Sequence, residues 1–532
     1  MKKLLSMLLV IALAAVLAIP AMAEGNIIYT ALSDDPQQMD PTLNSYARSS
    51  QVLQNLFKGL YKLDENGTMD EDGATYIPAM AESVEISDDQ LTYTFTLREG
   101  LKWSDGSDLT AYDFEYSWLR VLDPEVLSKA SADMYVLKNG KAFYNGECAR
   151  EDVGVKAVDE RTLVVELDHI VPWFLKLTST TSFLPVQKAA VEANENWAWT
   201  PETYVCNGPY MLQEYSSLDK IVLVKNPYYY EADKVQLDGI QYSIIPDAST
   251  ELQAYKKGEL NVSLNLDQQG LTEFNGTDEL TILPRVGIQY SDFNTQLPEF
   301  SDKRVRQAFS MAINRQALLK VMGVIEKPVY GFVPYAQPSL VDPSKSYRDF
   351  AGDLFTEDVE AAKALLAEAG YPNGEGFPKV LIKVQSSQQQ LLLAQTLSDM
   401  WKTNLGVECE TQAMESGYWG DLDAGKFSVD RNGYTVDYDD PSANLQIWVT
   451  EDHAYENGWD DPVYDEMLSA AQTLSDPAQR EAALIEAEKY LVDQMPGMPL
   501  YSMDTQFLVK PEVKGVIANP IGHVNFEYAS IG

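Results

Sequence analysis

The side chains that most often carry chemistry are few in this chain and lie far apart. The 532 residues include three histidines and three cysteines: His169, His453, His523, Cys148, Cys206 and Cys409. Because a zinc site gathers three or four such ligands, this spacing argues against a metal site, and we expect each histidine at the surface or packed in the fold. The cysteines allow at most one disulfide, and three free thiols are equally consistent with their positions.

The common sequence signatures of catalysis are also missing. The chain has no G-x-x-x-x-G-K-[ST] phosphate loop, no G-x-S-x-G nucleophile elbow, no H-E-x-x-H pair and no C-x-x-C. A pair of carboxylates for glycoside hydrolysis remains open among 80 acidic residues, but no pattern selects one pair. We predict that the protein is not an enzyme and holds no cofactor or metal.

One acidic cluster stands out, at 437–440 in the segment GYTVDYDDP (433–441). It differs from a calcium-binding loop because it lacks that loop's glycine and its closing glutamate. Residues 427–432 just before it are predicted to form a strand, and ligands of open α/β folds lie beyond the carboxyl ends of strands. The segment is therefore a candidate binding site.

Composition limits the classes of protein and of partner. At roughly 100–200 residues per domain, this length predicts two to four structural units. An aromatic content of 11% argues against disorder, which is aromatic-poor. The formal net charge of −40 would repel a phosphate backbone, so we predict no nucleic-acid partner.

The first 23 residues are typical of a secretory signal. Lys2 and Lys3 precede an apolar stretch from 4 to 19, and Ala21-Met22-Ala23 follows Pro20 as a cleavage site. A membrane anchor is the competing interpretation, but the stretch is shorter than the roughly 20 residues a span needs. We expect cleavage after Ala23 and no membrane insertion afterwards. No cysteine near this site could carry a lipid, which favours a periplasmic location.

The elements that must position the candidate site are mixed α and β. Alternating patterns predict strands over 88–98, 161–167 and 220–225, and a helix capped by Thr110 from there to about Val121. In the second half, strands at 379–384 and 407–412 flank a helix over 388–405, which predicts a parallel βαβ unit. Further helices are predicted from Thr356 as N-cap to Ala369, over 304–312, and from Pro477 to about Gln494.

Several short strings, in a fixed order, resemble one known family. They are AES (81–83), LTYTFTLR (91–98), KWSDG (102–106), LTAYDF (109–114), LPV (184–186), CNGPY (206–210), NPYY (226–229), DKRVRQAF (302–309), AINR (312–315), GYTVDYDDP (433–441) and PLY (499–501). The chain resembles the extracytoplasmic oligopeptide- and dipeptide-binding proteins of ATP-binding-cassette importers, the family 5 solute-binding proteins. Most of these strings are expected to be structural, with Trp103 in the core.

The resemblance implies an α/β, periplasmic-binding-protein-like fold with two hinged lobes and a third domain inserted in the first. The first lobe would comprise 25–57, 185–287 and 504–532, the inserted domain 58–184 and the second lobe 288–503. It also implies a monomer whose lobes close over a peptide and deliver it to a membrane permease served by cytoplasmic ATPases. A receptor of the same fold for another solute (an oligosaccharide, an opine or a nickel complex) is the second hypothesis, and a secreted hydrolase is the third.

The same resemblance assigns site residues. It places the ligand's α-amine on Asp437, where a charged hydrogen bond would hold it, and a peptide carboxylate on Arg431, although Arg431 could equally pair with a neighbouring acid. Backbone groups of Gly433 and Thr435 would bond the ligand's main chain. The remaining candidates are aromatic walls or cleft-edge positions: Tyr434, Trp419, Tyr418, Tyr46, Ala47 and Asn207. Met503 stands where some relatives have a ligand-facing tyrosine.

Overall fold

The computed structural model describes residues 25–65, 75–436, 438–450 and 457–532. The predicted signal segment, Asp437 and His453 lie outside these residues. None of the helices in the described ranges combines the length and apolar character needed to cross a bilayer.

Helices occur along the whole described chain. Their bounds are α1 Ala47–Leu56, α2 Ala111–Val121, α3 Gly140–Tyr144, α4 Phe174–Leu177, α5 Lys188–Ala193, α6 Ala248–Lys257, α7 Gln268–Phe274, α8 Lys303–Met311, α9 Arg315–Met322, α10 Tyr347–Ala351, α11 Val359–Glu368, α12 Gln388–Leu405, α13 Tyr418–Asp423, α14 Pro441–Gln446, α15 Pro462–Gln472 and α16 Pro477–Gln494.

Most of the strands are short. Their bounds are β1 Ile27–Leu32, β2 Tyr61–Leu63, β3 Tyr76–Pro78, β4 Ala81–Ile86, β5 Thr92–Leu97, β6 Val155–Ala157, β7 Thr162–Glu166, β8 Tyr210–Ser216, β9 Lys220–Lys225, β10 Gly239–Ile244, β11 Val262–Ser263, β12 Leu280–Asp292, β13 Val380–Gln385, β14 Cys409–Met414, β15 Val429–Asp430, β16 Asn432–Thr435, β17 Gly497–Val509, β18 Val513–Lys514, β19 Ile517–Ala518, β20 Val524–Asn525 and β21 Ser530–Ile531.

Four sheets form the framework. One has the order β1-β10-β9-β8, a second is the antiparallel sheet β4-β5-β7-β6, a third is the parallel set β14-β13-β15, and the fourth has the order β11-β17-β12-β16. Two large apolar cores accompany them. The first core joins residues from the N-terminal half to the C-terminal segment, and the second lies between residues 288 and 501.

The long strands β12 and β17 run between these cores. Phe507 belongs to the first core, whereas Ile288 and Leu500 belong to the second. The register of the pair shifts between Arg285 and Ile288, and such an irregularity bends a strand locally. The predicted lobe boundaries, at 287/288 and 503/504, fall within this pair; the boundaries themselves stay a prediction.

Local patterning predicted many elements correctly. The strands at 161–167 and 220–225 are confirmed as β7 and β9, and the strand at 88–98 is confirmed over the shorter range of β5, Thr92–Leu97. The βαβ unit is confirmed by the parallel pairing of β13 with β14 around α12. Trp103 is fully buried, as expected.

Several predicted boundaries were wrong, and two of them have a clear structural cause. The helix expected to start after Thr356 begins at Val359, because the carboxylate of Asp358 accepts the N–H groups of Glu360 and Ala361 and so caps it. The strand expected over 427–432 is divided into β15 and β16, which join different sheets. The division follows from tertiary pairing, since Val429 pairs with β13 and Asn432 with β12.

Candidate functional site

The predicted site segment is an edge strand. In β16, Thr435 lies opposite Gly287 of β12 and Asn432 lies opposite Tyr290, in an antiparallel register. Among the described strands, β12 is the one neighbour of β16, so β16 forms an edge of its sheet. An edge strand presents unpaired backbone N–H and C=O groups, which another extended chain can bond.

The three predicted residues of β16 lie together against β12 and β17. A Cβ atom built on Gly433 would lie 2.7 Å from Gln289 Oε1 and 2.8 Å from Met503 Cε, so glycine allows a close approach here. The Thr435 hydroxyl donates to Met503 Sδ at 3.3 Å. Tyr434, between them, is half-buried. The structure thus brings Gly433, Tyr434 and Thr435 to one edge, with Met503 behind them.

Arg431 lies at the bend between β15 and β16, and Tyr418 holds its backbone. The Tyr418 hydroxyl donates to the Arg431 carbonyl oxygen at 2.6 Å and accepts the Arg431 N–H at 3.3 Å. Tyr418 is buried, and this burial raises the pKa of its hydroxyl well above the ordinary value. Tyr418 therefore holds the backbone of Arg431 in place, and its buried ring does not present an aromatic surface to a ligand.

The Arg431 side chain is half-buried just before β16. No carboxylate of the described residues forms an ion pair with its guanidinium, which lies near the Tyr501 hydroxyl. Trp419 is 43% exposed and packs edge-on against Tyr418, with ring centroids 4.9 Å apart. Arg431 and Trp419 therefore present a charge and an exposed aromatic surface near the start of β16.

The other predicted positions differ in their surroundings. Asn207 is buried, and its amide accepts the Lys58 N–H at 3.1 Å and donates to the Lys58 carbonyl at 2.9 Å. The oxygen and the nitrogen of this amide are thus both bonded to the backbone of Lys58. The Tyr46 hydroxyl accepts a bond from Lys129 Nζ at 3.0 Å, and Ala47 is the first residue of α1.

Residues just after Asp437 contact the segment predicted as the inserted domain. The ring of Tyr438 stacks on Trp173, with centroids 5.1 Å apart and planes 4° from parallel. The Asp439 carboxylate accepts a hydrogen bond from Lys176 Nζ at 2.8 Å and one from Gln337 Nε2 at 3.1 Å. These contacts join parts of the chain that are far apart in sequence.

A buried ion pair supports the same contact. The guanidinium of Arg480 donates to both carboxylate oxygens of Asp440, each at 2.8 Å, and lies 4.6 Å from the Trp173 ring centroid. Both charged side chains are almost fully buried. Asp439 and Asp440 of the acidic cluster thus have structural partners, and the role of Asp437 stays a prediction.

Sequence reasoning missed a buried acidic pair beside the site. The Asp292 N–H donates to Asp430 Oδ1 at 2.7 Å, and Asn432 Nδ2 donates to Asp292 Oδ2 at 3.0 Å. Burial raises the pKa of both carboxyls, that of Asp292 to about 7, and for Asp430 the neighbouring Asp292 charge adds to the rise. The two residues are 138 positions apart, so the sequence carried no signal for the pair.

This pair should make stability depend on pH. Unfolded aspartates lose their protons near 3.8, whereas the folded pair retains a proton up to about pH 7. The pair's contribution is fully present below pH 3.8 and falls as pH rises to 7, by about 1.4 kcal/mol per pH unit. In Asp430→Asn this slope should become shallower but not vanish, because one raised carboxyl is gone while burial still raises the pKa of Asp292. Urea unfolding from pH 4.5 to 6.5 should therefore show the free energy of unfolding falling less in the variant than in the wild type. Parallel curves would contradict a raised pKa at Asp430.

No group of three or more metal-ligating side chains occurs among the described residues. The three cysteines are free thiols: Cys206 is buried, and Cys148 and Cys409 are partly buried. Burial raises the pKa of the Cys206 thiol to about 12, so this side chain is an unreactive part of the core.

Comparison with known proteins identifies the family. The profile of "Bacterial extracellular solute-binding proteins, family 5 Middle" matches residues 75–456. A periplasmic murein peptide-binding protein from Escherichia coli is 33% identical over 510 residues, covering 94% of this chain and 92% of the relative. A probable deoxycholate-binding periplasmic protein from the same organism is 31% identical over 498 residues, covering 92% of this chain and 90% of the relative.

A solved structure agrees in fold. The peptide-bound oligopeptide-binding protein of Listeria monocytogenes superposes with a TM-score of 0.80 at 25% identity, covering 96% of this chain and 99% of that one. The predicted periplasmic-binding-protein-like α/β fold and the predicted family are confirmed. The chain belongs to the family 5 bacterial extracellular solute-binding proteins.

Proposed function

We propose that the protein is the substrate-binding component of an ATP-binding-cassette peptide importer. The observation that carries the proposal is the edge strand β16, which ends two residues before Asp437. A peptide in extended form would add to this edge as a further strand, bonding through its main chain. Main-chain bonding gives affinity without demanding particular side chains, which suits a receptor for many peptides.

The ends of the peptide would find opposite charges. Asp437 would take the α-ammonium, and Arg431 would take a carboxylate. Gly433 and Thr435 would supply the backbone groups between them, and Tyr434 and Trp419 the aromatic surface. Water in the side-chain pockets would then accommodate different residues.

Closure would trap the peptide and signal its presence. The strands β12 and β17 connect the two cores, and a bend in such a pair would move one core against the other. Contacts from Trp173 and Lys176 to 438–440 would hold the closed form. The closed protein would dock on a membrane permease with its cytoplasmic ATPases, releasing the peptide unchanged. We place this cycle in the periplasm, with a monomer released by signal cleavage after Ala23.

A receptor of the same fold for a non-peptide solute is the alternative. The named deoxycholate-binding relative, at 31% identity, supports divergence of ligand within the family. The presence of Asp437 in the motif favours the peptide hypothesis, because a bile acid, a sugar or an opine offers no terminal peptide ammonium to this carboxylate.

Ligand that copurifies with the protein tests the two hypotheses. Mass spectrometry after denaturation should find peptides, and small-angle scattering should show a smaller radius of gyration when saturating peptide is added to ligand-free protein. A non-peptide solute in the spectra would favour the alternative. A radius that stays the same with peptides that calorimetry shows to be bound would contradict closure.

A further inference from the structure

A small cavity near β12 and β17 is lined by two arginines and a histidine. It has a volume of about 110 Å³ and lies between α1, β12, β17 and the segment 521–524. Arg48, Arg285 and His523 line it, and none of the described residues that form its lining is acidic. The whole chain has 80 acidic and 40 basic residues, so a cavity with this lining is opposite in sign to the rest of the molecule.

The two arginines that line the cavity, Arg285 and Arg48, form no ion pair with any described carboxylate. Arg285 Nη2 contacts Met503 Sδ at 2.8 Å, and its Nε is buried with no hydrogen-bond partner among the described residues. Burial lowers the pKa of Arg285, and the more distant Asp504 and Glu326 charges oppose that shift. An unpaired guanidinium in such a place favours an anion that arrives with a ligand.

Two further polar atoms are buried without a partner in the same place. They are Nδ1 of His523 and Oγ1 of Thr505, again among the described residues. Burial, followed by the charges of Arg285 and Arg48, lowers the pKa of His523 to about 4, so its ring is neutral at pH 7. A neutral imidazole and a hydroxyl can each donate one hydrogen bond to an oxyanion.

The surroundings hold these groups in position. The His523 backbone N–H donates to Asn519 Oδ1 at 2.8 Å. A Cβ atom on Gly522 would lie 2.7 Å from Arg285 Cδ, so the guanidinium stem packs directly on this glycine. The first helical residue of α1, Ala47, also lines the cavity, and this helix has no side-chain cap, which leaves its partly positive N-terminus open.

The carboxylate on which the charge of Arg48 acts, Glu251, uses one of its two oxygens elsewhere. The Glu251 carboxylate accepts the Ser263 hydroxyl at 2.7 Å and the N–H groups of Leu264 and Asn265 at 2.8 and 3.1 Å. All three bonds fall on the same oxygen, Oε1, and stabilise the loop after β11, whereas Oε2 is buried with no hydrogen-bond partner among the described residues. The positive charges of the cavity therefore remain uncompensated by direct contact.

The cavity adjoins the proposed peptide track. Met503 Sδ contacts Arg285 on one side and the Thr435 hydroxyl on the other. Ile521, which lines the cavity, packs in one apolar cluster with Val436 and Tyr438. A ligand bonded along β16 can therefore place one group in this cavity.

We propose that this cavity binds a carboxylate of the ligand, through Arg285 and Arg48 with His523 and Thr505 as neutral donors. This carboxylate site is separate from Arg431. It gives the receptor a preference for peptides that carry an additional acidic group. The inference rests on the proposed function for the identity of the ligand. The carboxylate can come from an aspartate or glutamate side chain or from the peptide's C-terminus.

Calorimetry with matched tripeptides distinguishes these sources. The probes are alanine tripeptides with a single glutamate at each position in turn, their glutamine counterparts, and the C-terminal amide of each. For a side-chain carboxylate, glutamate at one position should bind the wild type about 10- to 100-fold tighter than glutamine, the range for a charged hydrogen-bonded contact. For a C-terminal carboxylate, amidation should cost that factor instead. In Arg285→Gln the affinity ratio that is large in the wild type, glutamate over glutamine or acid over amide, should fall to near one.

Two further variants sharpen the result. Arg48→Gln changes an exposed side chain and should reduce the same factor in part, which keeps the test valid if Arg285→Gln does not fold. Arg150→Gln is the matched control, because Arg150 lines no part of the cavity, and it should leave every ratio unchanged. Glutamate-to-glutamine and acid-to-amide ratios that are the same in Arg285→Gln, Arg48→Gln and the wild type would overturn the proposal. An amidation cost that persists in both variants belongs to Arg431.

A second readout separates this site from the proposed function. If no tripeptide binds the wild type, the peptide-receptor proposal fails, and the cavity is then tested with glutarate alone. At constant ionic strength, glutarate should raise the melting temperature of the wild type and of Arg150→Gln but not that of Arg285→Gln. Equal shifts in all three, or none in any, would overturn the carboxylate site as well.

Discussion

Asp437→Asn should weaken the binding of a peptide with a free N-terminus by about 30-fold to several thousand-fold. The reason is that an ammonium buried in a closed cleft would lose its opposite charge, and truncating one member of such a pair costs about 2–5 kcal/mol. The melting temperature of the ligand-free protein should stay nearly unchanged, because the proposed partner of Asp437 arrives with the ligand. Isothermal calorimetry and thermal unfolding measure the two quantities.

The complementary control is an N-acetylated peptide. It should bind the wild type poorly, and Asp437→Asn should cost it little, because no ammonium is left to lose. The four combinations of protein and peptide form a double-mutant cycle that isolates the coupling between the amine and the carboxylate. Equal binding of acetylated and free peptides by the wild type would remove Asp437 as the amine anchor.

Arg480→Met should lower the free energy of unfolding by about 3–5 kcal/mol. The change leaves the Asp440 carboxylate buried without its bidentate partner, and breaking a buried pair in this way costs about that much. It also removes the cation that lies over the Trp173 ring. Chemical denaturation followed by far-UV circular dichroism measures the loss.

Two comparisons show whether the buried charge is the cause. Adding Asp440→Asn to Arg480→Met should recover part of the loss, since the asparagine oxygen can still accept the Ser442 N–H at the start of α14. Lys489→Met is the matched control on the same helix, α16, because Lys489 pairs with Glu486 at the surface. It should change stability by less than about 1 kcal/mol. A similar loss in both single variants would exclude a special role for the buried pair.

The sequence by itself determined the elements whose signals are local. The bounds of β9 and α12 and the first residue of α16 were predicted to the residue, because alternation, helical periodicity and caps such as Asp476 act within a few positions. The order of short motifs likewise predicted the family and the α/β fold, both of which are confirmed. The motif GYTVDYDDP (433–441) predicted residues 433–435 as neighbouring site residues, and these three residues lie on one strand, β16.

The tertiary structure alone decided which charged groups meet. Arg480 and Asp440 are 40 positions apart, Asp430 and Asp292 are 138 apart, and Lys176 reaches Asp439 across 263 positions. The sequence gives no local sign of these pairs, since a carboxylate that caps a helix, one that is buried and one at the surface have the same residue type. The sequence also gives no sign of the cavity lined by Arg48, Arg285 and His523. These residues come together only where α1, β12 and the segment 521–524 pack against one another. Long-range packing sets burial, and burial sets the strength of a charge, so the electrostatics of this protein depends on its three-dimensional fold.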